Sequence, residues 1–312
     1  MPGQAYFLYA LTVLIWGATW IAIKFQIEDV DPLVSAAYRF CLASALLFVW
    51  CLLVRARLRL GWREHLFIAL QGACLFGINI WLTYSSEVYL TSGVVAVVFA
   101  TTVFMNSFNG ALFLRRPMEP VVLAGGLVGL FGVVLLFWPE LDRLGADSSA
   151  LRGLILALAS TYCASLGNIV ATRNATYGLP VISINAWGML YGSLLLILVG
   201  AFLGAEFRYP ARASYTVALL YLSIFGSVLA FGAYLRLLAL IGPDRAGYSA
   251  MMIPLVALLI STVFEGYRWT VPAMFGVVLI IVGNLLAMRR SSMPFRAPGT
   301  GSTVVSDSAG KV

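Results

Sequence analysis

Ten separate stretches of this chain are each long and apolar enough to cross a lipid bilayer, which takes roughly 20 consecutive apolar residues in a helix. They are Tyr6–Phe25, Leu33–Val54, Leu66–Ser85, Ser92–Leu114, Val121–Trp138, Leu151–Thr172, Val181–Leu203, Val217–Leu238, Gly247–Phe264 and Val271–Met288. Pro and Gly punctuate the links, among them Pro32, Gly61, Pro117, Pro139, Gly178, Pro180, Pro210, Gly242, Pro243 and Pro272. The links are short, so no window remains for a soluble domain. Only 11% of the 312 residues are charged, against about 25% in a soluble domain. So little charge cannot cover a water-facing surface, and lipid must be the solvent for much of the chain. The expected fold class is an all-α integral membrane protein with ten transmembrane helices.

The basic residues set the orientation. With the N-terminus inside, 13 Lys and Arg fall on the inner side and 6 on the outer, while Arg39 lies within the second segment. That bias puts both termini in the cytoplasm. It also accounts for the net charge of +7 without nucleic acid, since no basic run carries the interleaved aromatics of a nucleic-acid surface. The first segment lacks a basic leader and a cleavage site and reads as a retained helix. The stretch from Ser291 to Val312 is rich in Ser, Gly, Thr and Pro and reads as a disordered cytoplasmic tail.

Several function classes find no support. Cys41, Cys51, Cys74 and Cys163 all sit in apolar segments without CxxC spacing, so no metal site or disulfide framework is indicated. The chain has no phosphate-binding loop, no HExxH and no GxSxG. No cofactor or enzymatic activity is expected, and any energy must come from a gradient or from exchange. His65, the one histidine, stands at a cytoplasmic helix start and reads as interfacial.

The ten segments divide into five and five. Gly125 and Gly132 stand 151 residues before Gly276 and Gly283, and Phe113 stands the same distance before Phe264. Five is odd, so a second set of five enters the membrane in the opposite sense. That is an inverted-topology repeat, the architecture of many secondary transporters. The GxxxG pairs Gly125/Gly129, Gly188/Gly192 and Gly200/Gly204 are expected to pack helices within one chain.

Polar residues recur at helical spacing in five segments: Trp16, Thr19 and Trp20; Asn79, Thr83 and Ser86; Thr102, Asn106 and Asn109; Thr161, Ser165, Asn168 and Thr172, with Tyr162 beside them; and Ser223, Ser227 and Tyr234. Such stripes avoid lipid, because an unpaired polar group in hydrocarbon is costly. They face either neighbouring helices or a cavity. Trp16, Asn79, Tyr162 and Tyr234 lie near mid-segment, the depth at which transporter sites form. Asn can read a carboxylate or an amine, and Trp or Tyr can stack on a flat or cationic group. The expected substrate-binding set is Trp16, Thr19, Trp20, Asn79, Thr83, Thr102, Asn106, Tyr162, Ser165 and Tyr234. Arg39, about two turns from the outer end of its segment, reads either as a gate or anion-binding residue, or as a structural partner of Glu28, Asp29 or Asp31. Pro254 removes one backbone hydrogen bond in mid-segment and reads as a hinge or as a static kink. Glu87 and Glu265 sit near outer helix ends and read as caps or loop charges.

LIWGATW at Leu14–Trp20, DPLVSAAYRF at Asp31–Phe40, GGLVGLFGVVLLFW at Gly125–Trp138 and IPLVALLISTVFEGYRWTVPAMFGVVLIIVG at Ile253–Gly283 occur in this order along the chain. In that order and spacing they resemble the signatures of the drug/metabolite transporter superfamily, in its EamA-type branch with ten helices. The resemblance covers about residues 6–288. It implies two repeats, over residues 5–139 and 151–289. It also implies a secondary carrier or exporter working by alternating access, with helices one to four and six to nine around a cavity and helices five and ten as scaffold. Val103 stands where the second half has Pro254, so the first-half gate is expected to bend less. The reading is a transporter of a small metabolite, an amino acid or similar solute, as a monomer or homodimer in the cytoplasmic membrane. The alternative is a channel or sensor on the same bundle. Its partners are the solute and the lipid bilayer.

Overall fold

The computed structural model describes residues 3–27, 30–90, 92–138, 148–264 and 269–288. The expected tail and Glu265 lie outside the described residues. Among those described, every regular element is helical. In chain order they are α1 (Gly3–Gly17), α2 (Trp20–Ile27), α3 (Pro32–Leu53), α4 (Trp62–Glu87), α5 (Ser92–Ala100), α6 (Thr102–Leu114), α7 (Pro120–Leu136), α8 (Ser148–Thr176), α9 (Val181–Leu203), α10 (Ala213–Ile241), α11 (Pro243–Ala246), α12 (Ser249–Phe264) and α13 (Val271–Met288). Six helical spans, including the combined stretch Val94–Leu114, are long and apolar enough to cross a membrane, and shorter apolar helices accompany them.

Local chemistry starts and stops these helices. Asp31 caps α3, its Oδ1 accepting from the Leu33 amide at 2.8 Å, and Pro32 takes the first helical position. Gly178, Gly204 and Gly242 follow helix ends with positive φ.

Four of the apolar segments are not plain α-helices. Residues Ala73–Ile78 in α4 and Leu222–Leu229 in α10 form π-helical turns, a feature frequent at functional sites. The first and fourth apolar segments break, at Ala18–Thr19 and at Thr101. A threonine hydroxyl stands at each break. Thr19 Oγ1 donates to Trp16 O at 2.7 Å, and Thr101 Oγ1 donates to Val98 O at 2.6 Å, so each competes for a backbone acceptor. The fourth segment breaks without a proline, whereas α12 runs unbroken through Pro254.

Helices α7 and α13 pack through glycine. A Cβ built on Gly125 would come 2.7 Å from the Gly283 carbonyl oxygen, and one on Gly276 would come 2.6 Å from that of Gly132. Residue numbers rise along one helix as they fall along the other, so the pair is antiparallel. The four contact points are those related by 151 residues. Gly188 and Gly192 likewise let α9 close on Gly72 and Phe76 of α4. Gly200 meets Leu33 and Phe207, while Gly204 ends α9.

Polar side chains in the bundle are met inside it. Thr12, Thr161 and Thr172 donate to carbonyls four residues back, each at 2.8 Å. Ser44 donates across to Ala186 O at 2.9 Å, and Asn174 to Gln71 at 2.9 Å.

Replacing Gly283 by Leu should lower the detergent melting temperature strongly, because the added carbons meet backbone rather than a side chain that can turn away; overpacking costs about 1–3 kcal/mol even in softer sites. Gly232 has open space around it, so Gly232→Ala should be neutral or stabilising by up to about 1 kcal/mol. Equal melting shifts in the two variants would contradict the packing.

Candidate functional site

A cavity of about 120 Å³ lies between α1, α4, α8, α10 and α12, with α2, α3, α5 and α6 each contributing a wall residue. One wall is aromatic. The Trp16 ring meets Phe231 edge-on at 5.0 Å between centroids and Tyr234 at 5.1 Å. Trp16 is held by its indole Nε1, which donates to Gly226 O at 3.0 Å. That carbonyl belongs to the π-helical stretch of α10. The opposite wall carries Asn79, which follows the π-helical stretch of α4. Asn79 Nδ2 donates to Leu75 O at 3.1 Å, and its Oδ1 accepts from Ser160 Oγ at 2.8 Å. Thr83 joins the same cluster, its Oγ1 within 2.7 Å of Ser160 Oγ. This cluster ties α4 to α8.

Arg39 also lines the cavity and is only 3% exposed. Its Nε donates to Ser227 Oγ at 2.8 Å and its Nη1 to the Tyr84 hydroxyl at 3.0 Å. Tyr84 in turn donates to Gln26 Oε1 at 3.0 Å. The guanidinium carbon stands 5.2 Å from the centroid of the Phe40 ring. The expected pairing with Asp31 does not form, because that carboxylate caps α3. Glu28 and Asp29 lie outside the described residues.

The short helix α11 (Pro243–Ala246) directly precedes the wall residues Gly247 and Ser249. Asn106 Nδ2 donates to Pro243 O at 2.9 Å, and Asn106 Oδ1 accepts from Asn168 Nδ2 at 3.3 Å. Arg245 pairs with Glu119 at 2.9 Å. Burial pushes the Asp244 carboxyl up to about 6, against the pull of Arg116; Glu119 raises it further, and Arg245 and Ser107 lower it. Burial likewise draws Arg116 below its ordinary range, and Asp244 opposes that.

The structure brings Trp16, Thr19, Asn79, Thr83, Thr102, Tyr234 and Arg39 to one cavity. Others of the expected set lie elsewhere. Tyr162 is 43% exposed on the outer face of α8 and lies outside the cavity wall; its buried neighbour is Thr161. Ser165 is buried but serves as the acceptor for Asn109 Nδ2 at 2.9 Å. Asn106 lies outside the wall and holds the Pro243 carbonyl of α11. Pro254 lies one residue beyond the wall residue Ile253 and leaves the Ala250 carbonyl, four residues back, without its helical donor. The side chain of Trp20 lies outside the described set. Phe99, Asn168, Phe231 and Ser249 also line the wall. Of these, only Asn168 stood on a polar stripe in the sequence.

The EamA-like transporter family profile matches this chain twice, over residues 3–138 and over residues 151–289. The chain belongs to that family. It is 30% identical to the "Uncharacterized inner membrane transporter YedA" of Escherichia coli K12, covering 89% of this chain and 90% of that one. It is 26% identical to a "Probable amino-acid metabolite efflux pump" of Salmonella typhimurium, covering 89% and 92%. A crystal structure superposes with a TM-score of 0.75 at 18% identity, over 92% of this chain and 98% of that chain, which shows the shared fold. The protein is a multi-pass membrane member of a transporter family.

The raised Asp244 carboxyl fixes the sign of one pH effect. Its folded value of about 6 exceeds the usual 3.8, so the folded state holds the proton more tightly between those values. Stability from this group is present below about pH 4 and lost as pH rises through about 6. Stability in detergent should therefore be higher at pH 5 than at pH 7.5, by at most about 1.4 kcal/mol, read as a higher melting temperature. Asp244→Asn should remove that step, and an unchanged step would assign it to other groups.

Proposed function

We propose that the protein is a secondary transporter that moves a small metabolite, an amino acid or a similar solute, out across the cytoplasmic membrane by alternating access. The observation that carries this reading is the cavity itself. Its wall draws on residues from both family matches, with Trp16, Arg39, Asn79 and Thr102 from the first and Asn168, Phe231, Tyr234 and Ile253 from the second. A site shared between two halves can be exposed to either side by rocking one half against the other. Its aromatic and amide lining suits a solute with both an apolar part and a polar end.

The finer architecture proposed is ten transmembrane helices in two inverted repeats of five, with both termini cytoplasmic. The double family match supports it. So does the glycine contact between α7 and α13, because shifting Gly125–Gly283 by 151 residues yields Gly276–Gly132, the mirror contact of the same interface. Two antiparallel helices related in this way fit a two-fold axis in the membrane plane. The π-helical stretches fit the same relation, since Ala73–Ile78 shifted by 151 residues falls within Leu222–Leu229. The 13-to-6 distribution of basic residues supports the cytoplasmic termini. The efflux relative in Salmonella typhimurium supports an amino-acid-like substrate and the outward direction. The inner membrane is the compartment in the name of the Escherichia coli relative.

Counterflow in proteoliposomes tests the reading. Vesicles loaded with unlabelled amino acids should transiently accumulate the matching labelled solute, with saturation. Trp16→Ala should reduce that exchange by about tenfold or more, the scale of a lost aromatic contact together with its hydrogen bond. Tyr162→Ala should leave it within about twofold, as expected for a surface position. Non-saturating flux would favour a channel, and the absence of flux with folded, inserted protein would remove amino acids as substrates.

A further inference from the structure

A guanidinium carries five N–H donors and one fixed positive charge. At Arg39 two of those donors reach neutral oxygens, Ser227 Oγ and the Tyr84 hydroxyl. Among the described residues no carboxylate comes within ion-pair distance of it. The acids on the elements around it are otherwise placed: Asp31 caps α3, and Glu87 stands at the end of α4 with an interaction of its own. Tyr84 and Ser227 orient the guanidinium without cancelling its charge. A cation held almost wholly out of water, whose partners among the described residues are neutral, is costly, and an intramembrane charge marks a function by default.

Two further observations point into the same cavity. Arg39 Nη2 lies at the same turn of α10 that holds Trp16: a Cβ on Gly226 would stand 3.0 Å from that nitrogen, and Gly226 O accepts the Trp16 indole. The free edge of the cation thus adjoins the aromatic wall. Asn168, 2% exposed and lining the cavity, has an Oδ1 with no hydrogen-bond partner. A buried acceptor left open in a cavity wall calls for a donor on whatever fills the cavity.

We infer that Arg39 is the subsite for an anionic group of the transported solute, specifically a single carboxylate, with Asn168 accepting from an N–H on the same solute and Trp16, Phe231 and Tyr234 receiving its apolar part. The inference rests on the transport reading above and narrows it to carboxylate-bearing solutes. One charge argues for a monoanion: Arg39 is the one charged residue among the described residues of the wall, whereas a phosphate dianion would call for further cations. A bound carboxylate would supply the counter-ion that Arg39 lacks among the described residues.

Matched pairs test this, with leucine against leucinamide and phenylalanine against phenylalaninamide. Binding is read as thermal stabilisation of the purified full-length protein in detergent, and exchange is read by counterflow. The wild type should bind the carboxylate member of a pair about tenfold or more tightly than its amide, the scale of a charge-assisted hydrogen bond. Arg39→Gln should abolish the preference. Arg39→Lys should keep the preference at lower affinity, and it decides the matter if the Gln variant folds poorly. Tyr84→Phe removes a tie to Arg39 but keeps the charge, and should retain the preference. Amides bound as well as acids, neither member bound, or a preference that survives Arg39→Gln would each overturn the inference. Absent counterflow in the wild type would instead remove amino acids as transported solutes, while the stabilisation comparison would still decide the role of Arg39.

Discussion

A polar group surrounded by hydrocarbon must find its partner inside the protein, and most of this structure follows from that requirement. The simplest solution is local. Threonines at 12, 161 and 172 return their hydroxyl protons to carbonyls of their own helices. The second solution joins helices, as in Ser160 with Asn79 or Asn109 with Ser165. Each such bond is worth only about 0.6 kcal/mol in a membrane protein, so no single one holds the bundle together. Their effect is to decide which faces meet. Several buried polar atoms are met by neither solution, and of these Asn168 Oδ1 lines the same cavity as the Arg39 charge.

The distortions of the helices place the cavity residues. A π-helical stretch inserts an extra residue into a turn and so rotates everything after it by about 100° relative to a regular helix. Asn79 follows directly on the first such stretch, and Phe231 lies two residues past the second. The second stretch also presents the Gly226 carbonyl to Trp16. The threonine break after Ala100 sets Thr102 in the wall, and Pro254 leaves an open acceptor at Ala250, another wall residue. Irregular backbone in a membrane protein is tolerated where it is buried or lines a cavity, and these distortions adjoin this one.

The apolar windows were legible because they are a matter of length and composition, which need no knowledge of neighbours. The glycine interface was legible for a related reason: Gly125, Gly132, Gly276 and Gly283 carry both the repeat offset and the small size that close approach demands. The cavity wall was only partly legible. Thr161 and Tyr162 differ by one residue, which is about 100° around a helix, and that rotation turns Tyr162 outward. Ser165 and Asn168 share a stripe, and sequence alone does not say which is consumed by a neighbour. The break at Thr101 carries no proline to announce it. Arg39 was read against the acids nearest in sequence, but its partner Ser227 lies 188 residues away.

The glycine interface and the cavity divide the bundle in a way that matters for transport. Helices α7 and α13 meet backbone to backbone and contribute no described residue to the cavity wall. Backbone contacts offer no rotamer to adjust, so this interface resists sliding more than a contact between long side chains would. The cavity helices differ, since their pieces join at a threonine break, at π-helical stretches and at the Gly242–Gly247 link, each a place where a few dihedrals can absorb a rotation. On the transport reading, the motion that exposes the cavity to the other side is therefore confined to segments already interrupted by their own sequence. Arg39 then sits at a consequential place: through Tyr84 and Ser227 it spans α3, α4 and α10, and a carboxylate bound to it would change the charge balance where those three helices meet. Substrate binding and helix movement would thus share one residue.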